Sequence, residues 1–494
     1  MKNIRKFNRC LLKKHIWFLS FLFLLSTGCT HENEVNNNIT ISDIHQLNSE
    51  LFANERAGAF ALTTKAPWTI NISEESNNNK PDWIDVNLYD GEAGTFTIFV
   101  SFNKNYTRER RNAIITISCA GEKVEIPIIQ LATKADGKIL ESENDFASRT
   151  ILLYVIASNL DPYITKNVED MISSATFQNL DNGKLVVFYS KNKNEAELFE
   201  IKPGMEKGIR ENVRNYTGKS AISPQTMKEI LNEVVSLYPA DSYGMILSSH
   251  GSAWMPNDFR DMLRSFGEED RKSMEIGELA GALPNHFFNF LLFDACSMGS
   301  IEVIYELRNT ADYIISSASE IMGSGFPYKA VLPYLFQPTV DLKKIVDDFH
   351  NYYSHYVHPF GNLSVVETSK LERVAQTTKE IISSAGSEQA MYNLPFSDLQ
   401  ILTYLSRSPS ELFDFGNVME HLATPVQKSE LQSALDKAII YKSTTERIYC
   451  QATGGNEGIP VKTYSGLSVY PPRKELTELN NWYRQLDWYK AVYE

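Results

Sequence analysis

Cysteine is scarce in this chain, with five among 494 residues. Two of them, Cys10 and Cys29, fall near the start, so Cys119, Cys296 and Cys450 are left for the body of the protein. Three thiols over that length make no disulfide scaffold, and any pairing leaves one free. Basic charge is also short: 48 Lys and Arg stand against 61 Asp and Glu, for a formal net charge of −13. A chain this acidic repels phosphate backbones, which excludes nucleic acid as a partner. Neither Gly nor Pro reaches the share of a fibrous or disordered chain, and the pattern is not that of a polytopic membrane protein. What remains is globular composition, 43% hydrophobic and 22% charged, with length for two or three domains.

The first 28 residues differ from the rest. Lys2, Arg5, Lys6, Arg9, Lys13 and Lys14 precede an apolar stretch from Ile16 to Ser26 that is too short for a comfortable membrane span, which predicts an export signal. Its end, Leu24-Leu25-Ser26-Thr27-Gly28-Cys29, resembles a bacterial lipoprotein signal. That resemblance implies cleavage before Cys29 and a lipid anchor on it. Ser26 stands where an aliphatic residue is usual, so a plain signal with an incidental cysteine is the alternative. Residues 29–38 are a polar tether, and Glu32 with Glu34 points to the outer-membrane surface of a bacterial cell envelope.

From 39 to 133, short apolar segments alternate with turn residues: WTINIS, WIDVNL, TFTIFVSF, AIITIS and VEIPIIQLA. Period-two alternation with regular turns predicts a small all-β, immunoglobulin-like sandwich. Trp68, Trp83-Ile84, Gly91, Gly94, Arg111, Ala113 to Ile117 and Ile128-Ile129-Gln130 resemble the BACON domain of exported Bacteroidetes proteins. The resemblance implies either glycan contact or a spacer. As residues, Trp68 and Trp83 read as core.

Residues 134–148 read as a linker, and 149–494 as an α/β domain with a helix-rich C-terminal part packed on its core. Strands TILLYVIAS, KLVVFYS, YGMILSS, FNFLLFD, DYIISSAS and NLSVVET alternate with helical stretches at Pro162–Ser174, Ser223–Leu237, Glu275–Leu283 and Gly299–Asn309. Strands apolar on both faces imply a mostly parallel sheet with helices on both sides.

Two of these strands end in chemistry. One runs into His250-Gly251, the other into Asp294-Ala295-Cys296. Parallel sheets keep their sites at carboxyl strand ends, and an imidazolium beside a thiol lowers the thiol pKa from about 8.5 to ~3.5–7.5. A buried structural cysteine and a hydrogen-bonded structural histidine are the duller readings of the two residues. SHGSAW, FDACSMGSIEVIYEL, ADYIISSASEIMGSGFPY, ASNLD, RSFG and GLSVYPP together resemble the clostripain-like cysteine peptidases, relatives of caspases, gingipains and legumain. The resemblance implies a caspase-like α/β sandwich acting as an endopeptidase on protein or peptide substrates. It makes His250 the acid and base, Cys296 the nucleophile, and the N–H groups of Gly251 and Cys296 the oxyanion donors.

It also implies cleavage after Arg or Lys, with Asp294 as pocket wall; the residue reading leaves a helix-capping carboxylate open. Glu320 is a second candidate. Ser324 stands where relatives often carry a pocket Asp, which weakens the basic preference and keeps a non-basic peptidase in view. Arg260, Arg264, Arg271 and Lys272 lie in a polar loop after the histidine and are candidate self-cleavage points. Some relatives respond to calcium, but no loop here has the oxygen spacing to place an ion, so no cofactor and no metal is assigned. His350, His355 and His358 read as a helix face rather than a metal site. The rival from another class is a glycan-binding surface protein whose peptidase-like domain is an inactive scaffold.

Overall fold

The computed structural model describes residues 38–494 except 43–50, 52–56, 75–79, 104, 106–108, 132–146, 257–264 and 405–410. The export signal, Cys29, most of the tether and linker, and Arg260 and Arg264 lie outside the described residues.

Alternation in the N-terminal part produces two four-stranded antiparallel sheets. One orders Ile39–Ser42, Ala57–Thr64, Gly94–Phe102 and Ile84–Val86; the other Asp90–Gly91, Trp68–Glu74, Arg111–Cys119 and Glu122–Gln130. Inward residues such as Ile70, Ile72, Ile115, Ile117 and Ile128 make one shared core. Trp68 and Trp83 belong to it, and the Arg111 guanidinium covers the Trp83 ring at 4.6 Å. Both indoles are therefore core residues rather than sugar platforms.

The second region is built on nine strands among the described residues, in the order Ile209–Tyr216, Glu195–Lys202, Lys184–Asn192, Thr150–Ile156, Tyr243–Ser248, Phe288–Asp294, Ala311–Ser316, Asn362–Glu367 and Ile439–Thr444. The middle five are parallel. The two pairs outside them run antiparallel. All six strands expected from apolar runs are present. Along Thr150–Ile156 every residue is buried, with Ile151, Leu153 and Val155 in one core and Leu152, Tyr154 and Ile156 in the other. Each large apolar side chain so buried contributes roughly 1.5–3 kcal/mol. Helices Asp161–Ser174, Tyr328–Leu335 and Leu342–Ser354 cover one face; Pro224–Leu237, Ile276–Ala282 and Leu371–Ala385 cover the other.

The two regions meet at the base of the sheet. Phe99 of the sandwich packs on Phe287 at 4.2 Å, and Phe287 stacks on Tyr243 at 4.6 Å. Phe287 precedes the strand whose far end carries Asp294, so this joint lies about 20 Å from that end at ~3.3 Å per residue. The C-terminal part is joined to this region by ring contacts: Trp254 contacts Tyr470 and Tyr483, and Trp488 contacts Tyr305.

Candidate active site

Strand register places the two key residues. Ser248 pairs with Asp294 across adjacent parallel strands, so the second residue past each tip is His250 on one side and Cys296 on the other. The Ser249 N–H donates to the Asp294 carbonyl (3.3 Å), and its hydroxyl donates to the Ile156 carbonyl (2.6 Å), fixing the histidine turn to both neighbouring strands. Gly251 then lies against the cysteine turn. A Cβ added there would come within 2.5 Å of the Cys296 carbonyl and 3.1 Å of the Met298 sulfur, so only glycine fits. His250 and Cys296 line one cleft of about 580 Å³.

Gly251 lines the same cleft beside Cys296. The Gly251–Phe266 bridge is closed by the Ser252 N–H to Ser265 and the Gly267 N–H to His250, which leaves the Gly251 N–H outside the ladder. In the cysteine turn, Ser297 and Gly299 donate to Ser319 and Ser317. Among the described residues, the Cys296 N–H has no backbone acceptor. The sequence predicts a helical stretch from Gly299 to Asn309, but the helix is Ile301–Glu306, capped by the Ser300 hydroxyl. Cys296 sits in the turn before it, because Ser297 at φ 59° interrupts the helical path.

The imidazole and the thiol have different surroundings. His250 Nε2 is 2.6 Å from Asn159 Oδ1 and 3.7 Å from Glu268 Oε2. The Cys296 sulfur accepts from the Ile321 N–H (3.4 Å) and donates to the Ile321 carbonyl (3.6 Å). Burial, then the Glu320 carboxylate, push this thiol up to about 12. Burial likewise raises Glu320 to about 7, offset in part by the Gln451 N–H, which donates to Oε2 at 2.5 Å.

Asp294 is buried and lines the cleft with Asn167, Tyr163 and Gly325. It accepts from the Tyr328 hydroxyl (2.8 Å) and the Phe326 N–H, while burial raises it to about 6. It caps no helix: the helix that follows, Ile301–Glu306, is capped by Ser300. Gly325, at φ 63°, passes so close that a Cβ would lie 2.7 Å from the carboxylate. Ser324 is different: its hydroxyl is 3.1 Å from the Tyr353 hydroxyl, and its neighbours Gly323 and Gly325 line the cleft instead. Its inclusion among the pocket residues is thus corrected. Arg271 and Lys272 lie in a hairpin rather than an open loop. Asp270 and Arg271, with φ of 51° and 65°, form the tight turn between Phe266–Glu269 and Lys272–Met274, a shape unlike the extended strand that peptide grooves recognise.

The three C-terminal histidines diverge. His350 bonds Ser443, His355 the Asn351 carbonyl, and His358 stacks on Phe360. Among the described residues, no group of three or more His, Cys, Asp or Glu is placed to hold a metal. Sequence reasoning did not single out Asn159, Glu268, Tyr449 or Gln451 for the cleft they line. Asn159 had a signal, since it follows the first parallel strand by three residues; Tyr449 and Gln451 arrive from the far C-terminal part and had none.

The model of the Clostripain family matches residues 153–494, and that of the BACON domain residues 73–131. Clostripain of Hathewaya histolytica is 28% identical over 122 residues, which spans 22% of this chain and only 23% of that protein. The solved structure of an inactive zymogen C11 protease from Parabacteroides distasonis is 35% identical, with a TM-score of 0.65, covering 71% of this chain and 99% of that one. A secreted C11 cysteine protease of Bacteroides thetaiotaomicron is 27% identical with a TM-score of 0.63, over 70% and 99% of the two chains. A secreted C11 cysteine protease of Bacteroides thetaiotaomicron solved in complex with an irreversible peptide inhibitor is 26% identical, with a TM-score of 0.61 and the same coverage.

Proposed function

The chain belongs to the Clostripain family of cysteine peptidases, and from that premise we propose that His250 and Cys296 form its catalytic dyad. The observation that carries this is the in-register pair of strand tips, which sets both residues on one cleft; the Gly251 and Cys296 N–H groups are the proposed oxyanion donors. The thiol gives its proton to the imidazole, and the sulfur forms a bond to the substrate carbonyl carbon. The two N–H groups stabilise the oxyanion. The C–N bond then breaks as the imidazolium protonates the leaving amine. Water, deprotonated by the same imidazole, splits the thioester and returns the thiol.

The substrates are proteins cleaved after Arg or Lys. Asp294, at about 6, is ionised at neutral pH, and its place in the cleft suits a guanidinium or ammonium group. Glu320 adds a second carboxylate near the thiol. Likeness to a zymogen and a thiol held at about 12 fit a chain that awaits activation, and the Arg260 and Arg264 stretch is the segment for self-processing. An exported lipoprotein anchored through Cys29 fits the leader, with the sandwich as a binding or spacer module at the bacterial surface.

A peptide-library cleavage profile tests the reading. It predicts cuts after Arg and Lys that vanish in Cys296→Ala; a non-basic preference would refute the pocket assignment, and retained cleavage in Cys296→Ala would refute the dyad.

A further inference from the structure

We propose that a strip of exposed tyrosines, Tyr163, Tyr352 and Tyr356, extends the cleft outward and takes an aromatic side chain of the substrate several residues from the scissile bond. The inference rests on the cleft being the peptidase site, and it adds a contact that neither the dyad nor the acidic pocket makes. Tyr163 stands in the first turn of helix Asp161–Ser174, lines the cleft, and is still 53% exposed. Gly323, also on the cleft, lies against its ring: a Cβ added there would meet three ring atoms at 3.4 Å each. The hydroxyl of the next residue, Ser324, is 3.1 Å from the hydroxyl of buried Tyr353, which donates to the Gly325 carbonyl at 2.6 Å. Beside this buried ring stand Tyr352 at 5.0 Å and Tyr356 at 5.9 Å, themselves 5.6 Å apart. Tyr352 is in helix Leu342–Ser354 and Tyr356 just past its end. Both remain more than a third exposed, and Val357 beside them is 87% exposed.

Single exposed apolar residues are ordinary, whereas a contiguous group that adjoins a cleft marks a binding surface. The cleft also fixes the occupant, because a chain laid over His250 and Cys296 continues past Tyr163. Tyrosine offers a large, rigid contact at low cost in side-chain entropy, and its ring pairs with a second aromatic ring edge-to-face or offset. The strip itself is three tyrosines and a valine, so it selects a ring rather than a charge. At ~3.3 Å per residue of extended chain, a side chain about three to six residues from the scissile bond reaches beyond Tyr163. The strip meets the cleft at Tyr163, so one side of the scissile bond makes the contact.

The test uses the full chain and peptides that carry, at the cleaved position, whichever residue the library profile selects, so it stands apart from the basic preference. Tryptophan replaces alanine in turn along both flanks. On one flank, about three to six residues out, it should raise kcat/KM by about 2- to 10-fold over the alanine parent, the range of one aromatic pair. In Tyr352→Ser combined with Tyr356→Ser that ratio should fall to one, and in Tyr352→Phe combined with Tyr356→Phe it should persist. If the serine pair does not fold, Tyr352→Leu with Tyr356→Leu, which keeps bulk without a ring, decides by the same ratio. If the purified chain cuts none of the peptides, the ratio is read from their binding to Cys296→Ala by fluorescence anisotropy. No gain at any position, equal gains on both flanks, or a gain that survives loss of both rings overturns the inference. A gain from a glycosylated serine with none from tryptophan also overturns it, since the strip would then take sugar. Peptides cut equally well by Cys296→Ala would instead remove the reading beneath.

Discussion

The two walls of the cleft are held in opposite ways. On the histidine wall the imidazole is partly exposed and met by polar groups, Asn159 at 2.6 Å and Glu268 at 3.7 Å. On the cysteine wall the sulfur exchanges hydrogen bonds with the Ile321 backbone, and burial first, then its carboxylate neighbours Glu320 and Asp294, push it up to about 12. The surroundings of His250 suit an imidazolium, whereas those of Cys296 oppose a thiolate. What makes the sulfur reactive must therefore come across the cleft, from the imidazole or from a cation that neutralises Asp294 and Glu320. One wall carries the charge that the other lacks.

The largest effect on this pairing should come from wedging the walls apart. Gly251→Ala places a methyl 2.5 Å from the Cys296 carbonyl and should lower kcat by about 10²- to 10³-fold, the cost of losing an oxyanion donor. A normal rate with an intact fold would mean the turns need not touch. Next comes the charge on the pocket side. Asp294→Asn keeps an acceptor for Tyr328 but loses charge-assisted bonding of ~1.5–3 kcal/mol, or about 10- to 100-fold in kcat/KM for Arg and Lys substrates; neutral substrates should be little affected.

A smaller change should sharpen the contrast rather than break it. Glu320→Gln removes a carboxylate that raises the thiol, so the onset of Cys296 alkylation should move to lower pH; an upward move would mean that Glu320 acts by another route. The smallest effect concerns stability. Asp294, at about 6, and Glu302, Glu306 and Glu320, each at about 7, are raised by burial. The folded chain holds these protons to higher pH than the unfolded chain does, so their stabilisation is complete in acid and declines as pH rises toward 7. The Tm should rise as pH falls from about 7.5 to about 5.5, before the lowered carboxylates Asp85, Glu229 and Glu388 protonate and reverse the trend below about 4.

The central sheet was legible because burial on both faces writes continuous apolar runs, as in Thr150–Ile156 and Phe288–Asp294. Its outer strands were not. Glu195–Lys202 carries four charged residues, and Ile209–Tyr216 is exposed at every residue except Val213 and Tyr216, so local pattern resembles surface loop. His250 and Cys296 were legible for the same reason as their strands: each directly follows a run whose end is plain. Glu320 was named for its charge, but its tie to Gln451 joins positions 131 residues apart, which no local signal carries. Arg271 was misplaced because a polar hairpin and a polar loop have the same composition, and only the paired φ values distinguish them.

The direct measurement is labelling by a peptide acyloxymethyl ketone, with the modified residue located by mass spectrometry in the wild type, Cys296→Ala and His250→Ala. The account predicts that the label sits on Cys296, is lost in Cys296→Ala and falls sharply in His250→Ala. Labelling on Cys119 or Cys450, or an undiminished rate in His250→Ala, would contradict it.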